Sequence, residues 1–127
     1  MKEREILNVI NDQYSTPTWS RLIVEVTAHI IKQAISKRKK TEFKSGVYHL
    51  ILNGETIWCG FAEKIARLAP YKEALKIKTI KKTPISQHPA PAKRPHNSRI
   101  STQTLTERFS LTLSAWDHAL ALCMEDC

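Results

Sequence analysis

The sequence predicts a small α+β protein, and three observations carry that prediction. Asn53-Gly54 separates two apolar runs, residues recur at helical spacing on either side of those runs, and four of the six prolines fall in the basic stretch from Ile77 to Ile100. The order that follows is two N-terminal helices, an Asn-Gly β-hairpin that a third strand can extend, a short helix, a Pro-rich basic tether and a C-terminal amphipathic helix. As domains this reads as a compact α+β unit over 1–80, a basic Pro-rich linker over 81–100 and an amphipathic helix over 101–127. With 127 residues, 42% of them hydrophobic, the chain has material for one small core.

From Lys2 to Gln13, Ile6, Leu7, Val9 and Ile10 sit among charged and amide residues, which fits a short amphipathic helix. Thr16-Pro17 is a start signal for the next helix: a hydroxyl caps free amides, and proline at the first helical position gives up no needed donor. That helix should run to about Ser36. Trp19, Ile23, Val26, Ile30 and Ala34 line one face, and Val24, Ala28, Ile31 and Ile35 a second, so the helix should be buried between layers. The β-branched run Leu22–Val26 leaves a strand open there. His29 reads as a packing residue.

Gly46–Leu52 and Glu55–Gly60 flank Asn53-Gly54, a pair that tolerates the positive φ of a type I′ turn and so predicts a hairpin, with apolar residues on both faces. A helix from Phe61 to about Leu68 stops at Pro70, because the residue before proline disfavours the α region. Leu75–Ile80 alternates with period two, its lysines facing solvent. Pro84, Pro89, Pro91 and Pro95 then argue for an extended, solvated tether. Thr104 and Glu107 have the form of a capping box opening a helix to about Met124. Its stripe of Leu105, Phe109, Leu113, Trp116, Leu120 and Cys123 must dock, on this chain's own core, on a second copy or in a partner's groove.

Charge is unevenly distributed. Residues 1–76 carry +5, residues 77–100 carry +6 with no acid, and residues 101–127 carry −3. Lys37-Arg38-Lys39-Lys40 exceeds what a helix dipole needs at its C-terminus, so the excess suits phosphates. The candidate nucleic-acid-binding residues are Lys37, Arg38, Lys39, Lys40, Lys78, Lys81, Lys82, Lys93, Arg94 and Arg99, and the candidate partner-binding residues are Leu105, Phe109, Leu113, Trp116 and Leu120.

Cys59, Cys123 and Cys127, with His118 nearby, form no metal spacing, so no metal and no cofactor is expected. The odd cysteine count, a charged start and the lack of a long apolar run point to a reduced, cytoplasmic setting without membrane contact. Neither a Gly-rich phosphate loop nor a nucleophile beside a base is present, so no catalytic residue is assigned.

Gly46-Val47-Tyr48, then Trp58-Cys59-Gly60 and Arg67, resembles a degraded form of the GIY-YIG nuclease pattern. That resemblance implies a Tyr-containing phosphodiester site with Tyr48 and Arg67 at the matching positions and a metal-binding Glu. Trp58 stands where the family has its second-motif Tyr, and no Glu takes the metal position. The function expected from the residues themselves is a non-enzymatic regulator holding nucleic acid through phosphates, with little base readout. The competing reading is a protein-binding inhibitor or antirepressor-like factor of phage or plasmid type, acting through the C-terminal helix as a monomer or homo-oligomer.

Overall fold

A computed structural model describes residues 5–40, 43, 45–70, 75–87 and 92–125. The expected N-terminal helix is a strand, β1 (Ile6–Ile10). Three of its five residues are β-branched, and it pairs in parallel with β4 (Thr79–Thr83), Ile6 opposite Thr79 and Ile10 opposite Thr83. Such pairing needs a long crossover between the strands, and here the crossover holds two helices. The third strand thus exists, shifted past Leu75–Ile80 and stopped before Pro84, and its lysines Lys81 and Lys82 are exposed.

After β1 the chain forms β2 (Tyr14–Ser15), which pairs antiparallel with β3 (Thr56–Ile57). Helix α1 (Ser20–Arg38) then begins at Trp19, later than Thr16-Pro17 suggests, with no side-chain cap. The hydroxyls do other work. Thr16 Oγ1 donates to the Gly54 carbonyl at 2.8 Å, and Thr18 Oγ1 accepts from the Leu52 amide at 3.3 Å. Leu22–Val26 is helical. Only one face of α1 packs, through Val26 and Ile30, while Val24, Ile31 and Ile35 stay exposed, so the helix is not sandwiched between layers as its two apolar faces suggest.

The Asn-Gly hairpin does not form. Residues 46–52 contain no strand, and Glu55–Gly60 passes through β3 directly into helix α2 (Trp58–Leu68), which starts before Phe61 and ends ahead of Pro70. Gly54 does take the expected positive φ, +85°. The turn it makes docks on the C-terminal region instead: Asn53 N donates to Ser114 O at 2.9 Å, and Trp116 N donates to Asn53 O at 3.0 Å. The GIY-YIG arrangement fails on the same ground, since neither of its two strand motifs lies in a paired hairpin.

The C-terminal helix is two helices, α3 (Gln103–Phe109) and α4 (Trp116–Glu125), broken where Ser110 adopts left-handed backbone at φ 51°. Thr104 lies inside α3 and caps nothing; Thr102 precedes the helix without a side-chain cap bond. Leu105, Phe109 and Leu113 form the core cluster, with Val26, Ile30, Phe43, Tyr48, Leu50 and Leu111 packed around it. Tyr48 meets Phe109 edge to face at 5.2 Å.

The basic stretch is not a free tether over its described part. Tyr14 N donates to His96 O at 2.7 Å, Ser98 N to Tyr14 O at 3.0 Å, and Arg99 pairs with Glu55 while lying over the Tyr14 ring. Among the described residues, no helix is long and apolar enough to cross a membrane.

Candidate functional site

A cavity of about 350 Å³ opens beside β1, lined by Asn8, Val9, Ile10, Gln13, Trp58 and Arg94. Its size falls in the range of small-molecule sites. Three separate segments converge on it: β1 and the loop after it, the first residue of α2, and the basic stretch. It lies toward the carboxyl end of a strand that pairs in parallel, the end at which open α/β folds hold ligands.

The loop after β1 is held firmly. The Asp12 carboxylate accepts from the Ile85 amide at 3.1 Å, and the Asp12 carbonyl contacts His96 Nδ1 at 2.9 Å. Those bonds tie the loop to the turn following β4 and to the basic stretch, and they seat the next residue, Gln13. Gln13 is 5% exposed, yet its Nε2 has no hydrogen-bond partner. An unpaired buried donor costs about 1–3 kcal/mol.

Trp58 is half exposed at the opposite chain segment, and its ring is steadied edge to face by Phe61 at 6.3 Å. Arg94 brings the one guanidinium among the lining residues. The set offers a flat aromatic surface, an amide with donor and acceptor, and a planar cation suited to phosphate oxygens. Nothing in it is a nucleophile with a base. Cys59, at the start of α2, is fully buried with its thiol against Glu63 Oε1 at 3.5 Å; burial, then Glu63, pushes that thiol up. It is a packing residue, though on a helix rather than on the strand the sequence suggests.

Of the ten candidate phosphate-binding cations, Arg94 lines the cavity and the rest are dispersed. Lys37 Nζ donates to Arg108 O at 3.4 Å over the Phe109 ring, Arg38 ends α1, and Lys39 and Lys40 follow it exposed. Lys78 pairs with Glu5 at 2.8 Å, Lys82 lies 3.9 Å from Glu63, Arg99 pairs with Glu55, and Lys81 and Lys93 are exposed. Leu105, Phe109, Leu113 and Leu120 are buried in this chain, and Trp116 packs on Phe61 at 6.1 Å. Tyr48 belongs to the core cluster and Arg67 to the last turn of α2.

Sequence reasoning missed Gln13, Trp58 and Asn8. One signal was there: Asn11-Asp12-Gln13 interrupts an apolar run just before an aromatic, as a polar strand end does. Among the described residues, no group of three or more His, Cys, Asp or Glu side chains comes together to hold a metal.

The whole chain, residues 1–127, matches the family described as RmlD substrate binding domain. It is 41% identical over 128 residues to the dTDP-4-dehydrorhamnose reductase of Burkholderia thailandensis, covering 98% of this chain and 43% of that protein. To the enzyme of the same name from Escherichia coli K12 it is 40% identical over 118 residues, covering 91% of this chain and 38% of that one. Its fold superposes on the dTDP-4-dehydrorhamnose reductase structure from Clostridium acetobutylicum with a TM-score of 0.75 at 25% identity, over 98% of this chain and 39% of the other. The Bacillus anthracis enzyme, solved in complex with NADP, gives a TM-score of 0.70 at 23% identity over 99% and 40%. The chain thus spans about two fifths of the length of these relatives. These matches overturn the helix-and-hairpin fold class, the non-enzymatic regulator and the nucleic-acid or groove-bound partner: the relatives are reductases with parallel-stranded α/β architecture, and a basic balance alone did not point to nucleic acid.

Proposed function

We propose, since this chain belongs to the RmlD substrate binding domain family, that it forms the sugar-nucleotide-holding part of a dTDP-4-dehydrorhamnose reductase. The reaction of such an enzyme delivers hydride to the carbonyl carbon of the 4-dehydro sugar and a proton to its oxygen. The single observation that supports this part's role is the cavity beside β1, with Gln13, Trp58 and Arg94 on its walls. Arg94 is placed to meet the diphosphate and Trp58 a flat ring.

NADP, which one structural relative binds, does not fit the residues present. A dinucleotide pyrophosphate needs glycines where backbone approaches it closely. The chain has three. A Cβ at Gly60 would lie 2.7 Å from Thr56 Oγ1, one at Gly54 3.1 Å from Trp116, and one at Gly46 3.3 Å from Tyr48, so all three serve internal packing. A cytoplasmic setting belongs to the same proposal, supported by a doubly charged nucleotide sugar as substrate, which does not cross membranes unaided.

Titration of dTDP into the 127-residue chain, followed by calorimetry and tryptophan fluorescence, tests this. Binding is expected, and Arg94→Ala should weaken it about tenfold, the worth of roughly one charge-assisted hydrogen bond. Absence of dTDP binding by folded chain, or unchanged affinity in Arg94→Ala, overturns the assignment.

A further inference from the structure

We infer that the free edge of β1 is a homodimer surface, on which β1 of a second copy of this chain pairs antiparallel about Asn8. β1 and β4 form a two-stranded parallel sheet, so among the described residues each has one bonded neighbour and one open edge. The Glu5 carbonyl accepts from the Lys78 and Thr79 amides, and the Asn11 amide donates to the Thr83 carbonyl. Backbone groups alternate in direction along a strand, so Ile6, Asn8 and Ile10 turn theirs away from β4. The space beside them is open: Asn8, Val9 and Ile10 in succession line the cavity, which therefore runs along the strand's edge, and Ile6 is 59% exposed. The two edges differ in protection. β4 carries Lys81 and Lys82, exposed charges of the kind that deter pairing, whereas Ile6–Ile10 has neither charge nor proline.

The residues of that edge point to a second copy as its occupant. Ile-Leu-Asn-Val-Ile reads nearly alike in both directions, so an antiparallel copy centred on Asn8 sets Ile6 against Ile10, Leu7 against Val9 and Asn8 against itself. Like meets like at each position, and the outward amides and carbonyls of Ile6, Asn8 and Ile10 bond in pairs across the two-fold axis. A strand from a different polypeptide would need no such symmetry. The combined sheet runs β4, β1, β1, β4. A two-stranded sheet is marginal in water; pairing doubles it, and the lysine-bearing β4 strands then guard both ends against further growth.

The test uses the full 127-residue chain. In about 0.3 M salt, which screens the net charge of +8 on each copy, light scattering at roughly 100 µM chain should show a dimer. Asn8→Lys sets two ammonium groups opposite each other and should weaken that dimer about tenfold or more, with circular dichroism unchanged because position 8 is exposed. Asn8→Cys serves where Asn8→Lys fails to fold. Its introduced thiols would sit on residues about 5.5 Å apart between Cα atoms, within disulfide reach. Oxidation should then give a covalent dimer that mass spectrometry shows to be linked through position 8 of both copies. Folded chain that stays monomeric at this concentration leaves the edge to a strand of a different polypeptide and overturns the pairing. So does a dimer that Asn8→Lys leaves equally tight, or one that oxidises in Asn8→Cys only through Cys59, Cys123 or Cys127; either result places the contact elsewhere, as on the exposed Val24 and Ile31 of α1.

Discussion

The cluster around Phe109 is shut off from water, the cavity around Gln13 opens to it past the half-exposed Trp58 and the exposed Arg94, and the two treat their side chains in opposite ways. Phe109 is 1% exposed, with Leu105 and Leu113 beside it, Tyr48 edge to face on its ring and Lys37 over it; its carbonyl accepts from Gln33 Nε2 at 3.0 Å. Gln13 is nearly as buried and its amide donor has no hydrogen-bond partner. A region selected only for stability satisfies its polar groups and fills its volume, whereas one that must receive a ligand leaves both undone. Burial alone therefore does not separate core from cavity wall.

The largest effect that separates the two regions is Phe109→Ala. Truncating a buried phenylalanine costs about 3–5 kcal/mol, and in a chain of this size that consumes much of the folding stability. Thermal melting should show it directly. Arg94→Ala, on the exposed rim of the cavity, should alter stability by no more than about 0.5 kcal/mol while weakening dTDP. A melting loss for Arg94→Ala comparable with that for Phe109→Ala would erase the distinction drawn between core and site.

Gly54→Ala comes next and probes the turn that joins the two regions. Gly54 sits at φ +85°, where a Cβ costs about 1–2 kcal/mol, and that Cβ would also approach Trp116 at 3.1 Å. Destabilisation of that size by chemical denaturation, with a changed tryptophan spectrum, is the expected result. A neutral substitution would show that the turn does not hold α4 in place.

What could be read from the sequence divides along the same line. The two long helices of the crossover were legible, because nineteen residues of α1 hold a helical repeat and Pro70 stops α2. So was the positive φ at Gly54. β1 was not, since a five-residue apolar run in a parallel pair has the same composition as one turn of a buried helix, and periodicity does not separate them. The hairpin was overread because Tyr48 and Leu50 are apolar for packing beneath Phe109, not for strand pairing. The break at Ser110 carries neither glycine nor proline to announce it. The cavity left one signal, the polar break at Asn11-Asp12-Gln13: Gln13, Trp58 and Arg94 meet because β1 and β4 pair across the crossover and His96 and Ser98 bond back to the β1–β2 loop and Tyr14. The basic segment was noticed for its charge, and its one site-lining cation was indistinguishable there from its neighbours.

Ser110→Gly should stabilise the chain by roughly 0.5–1 kcal/mol. Ser110 ends α3 in the left-handed conformation, its N–H bonded to Thr106 O, and glycine takes that conformation without the Cβ penalty. A raised melting temperature with unchanged dTDP affinity is expected, since the break lies in the satisfied region and away from the cavity. A shift in dTDP affinity would show that the two regions are coupled through α3.

The smallest effect concerns pH at the start of α4. Asp117, in the first turn of that helix, is held below the ordinary aspartate range chiefly by its hydrogen bond with Lys64 Nζ at 3.3 Å, against some desolvation and with help from the Lys64 charge and the His118 amide. Because its folded value is depressed, the pair's contribution is fully present above the unfolded aspartate value, near pH 4, and is lost as pH falls through the folded one. Asp117 is exposed and Lys64 is partly so, so salt should weaken the pair. Lys64→Met should therefore lower the melting temperature slightly at pH 7, and the difference from the parent should shrink as pH falls through the depressed Asp117 value. A displacement of the melting curve that stays the same at every acidic pH would assign the effect of Lys64 to packing of its aliphatic stem between α2 and α4 instead of to its charge.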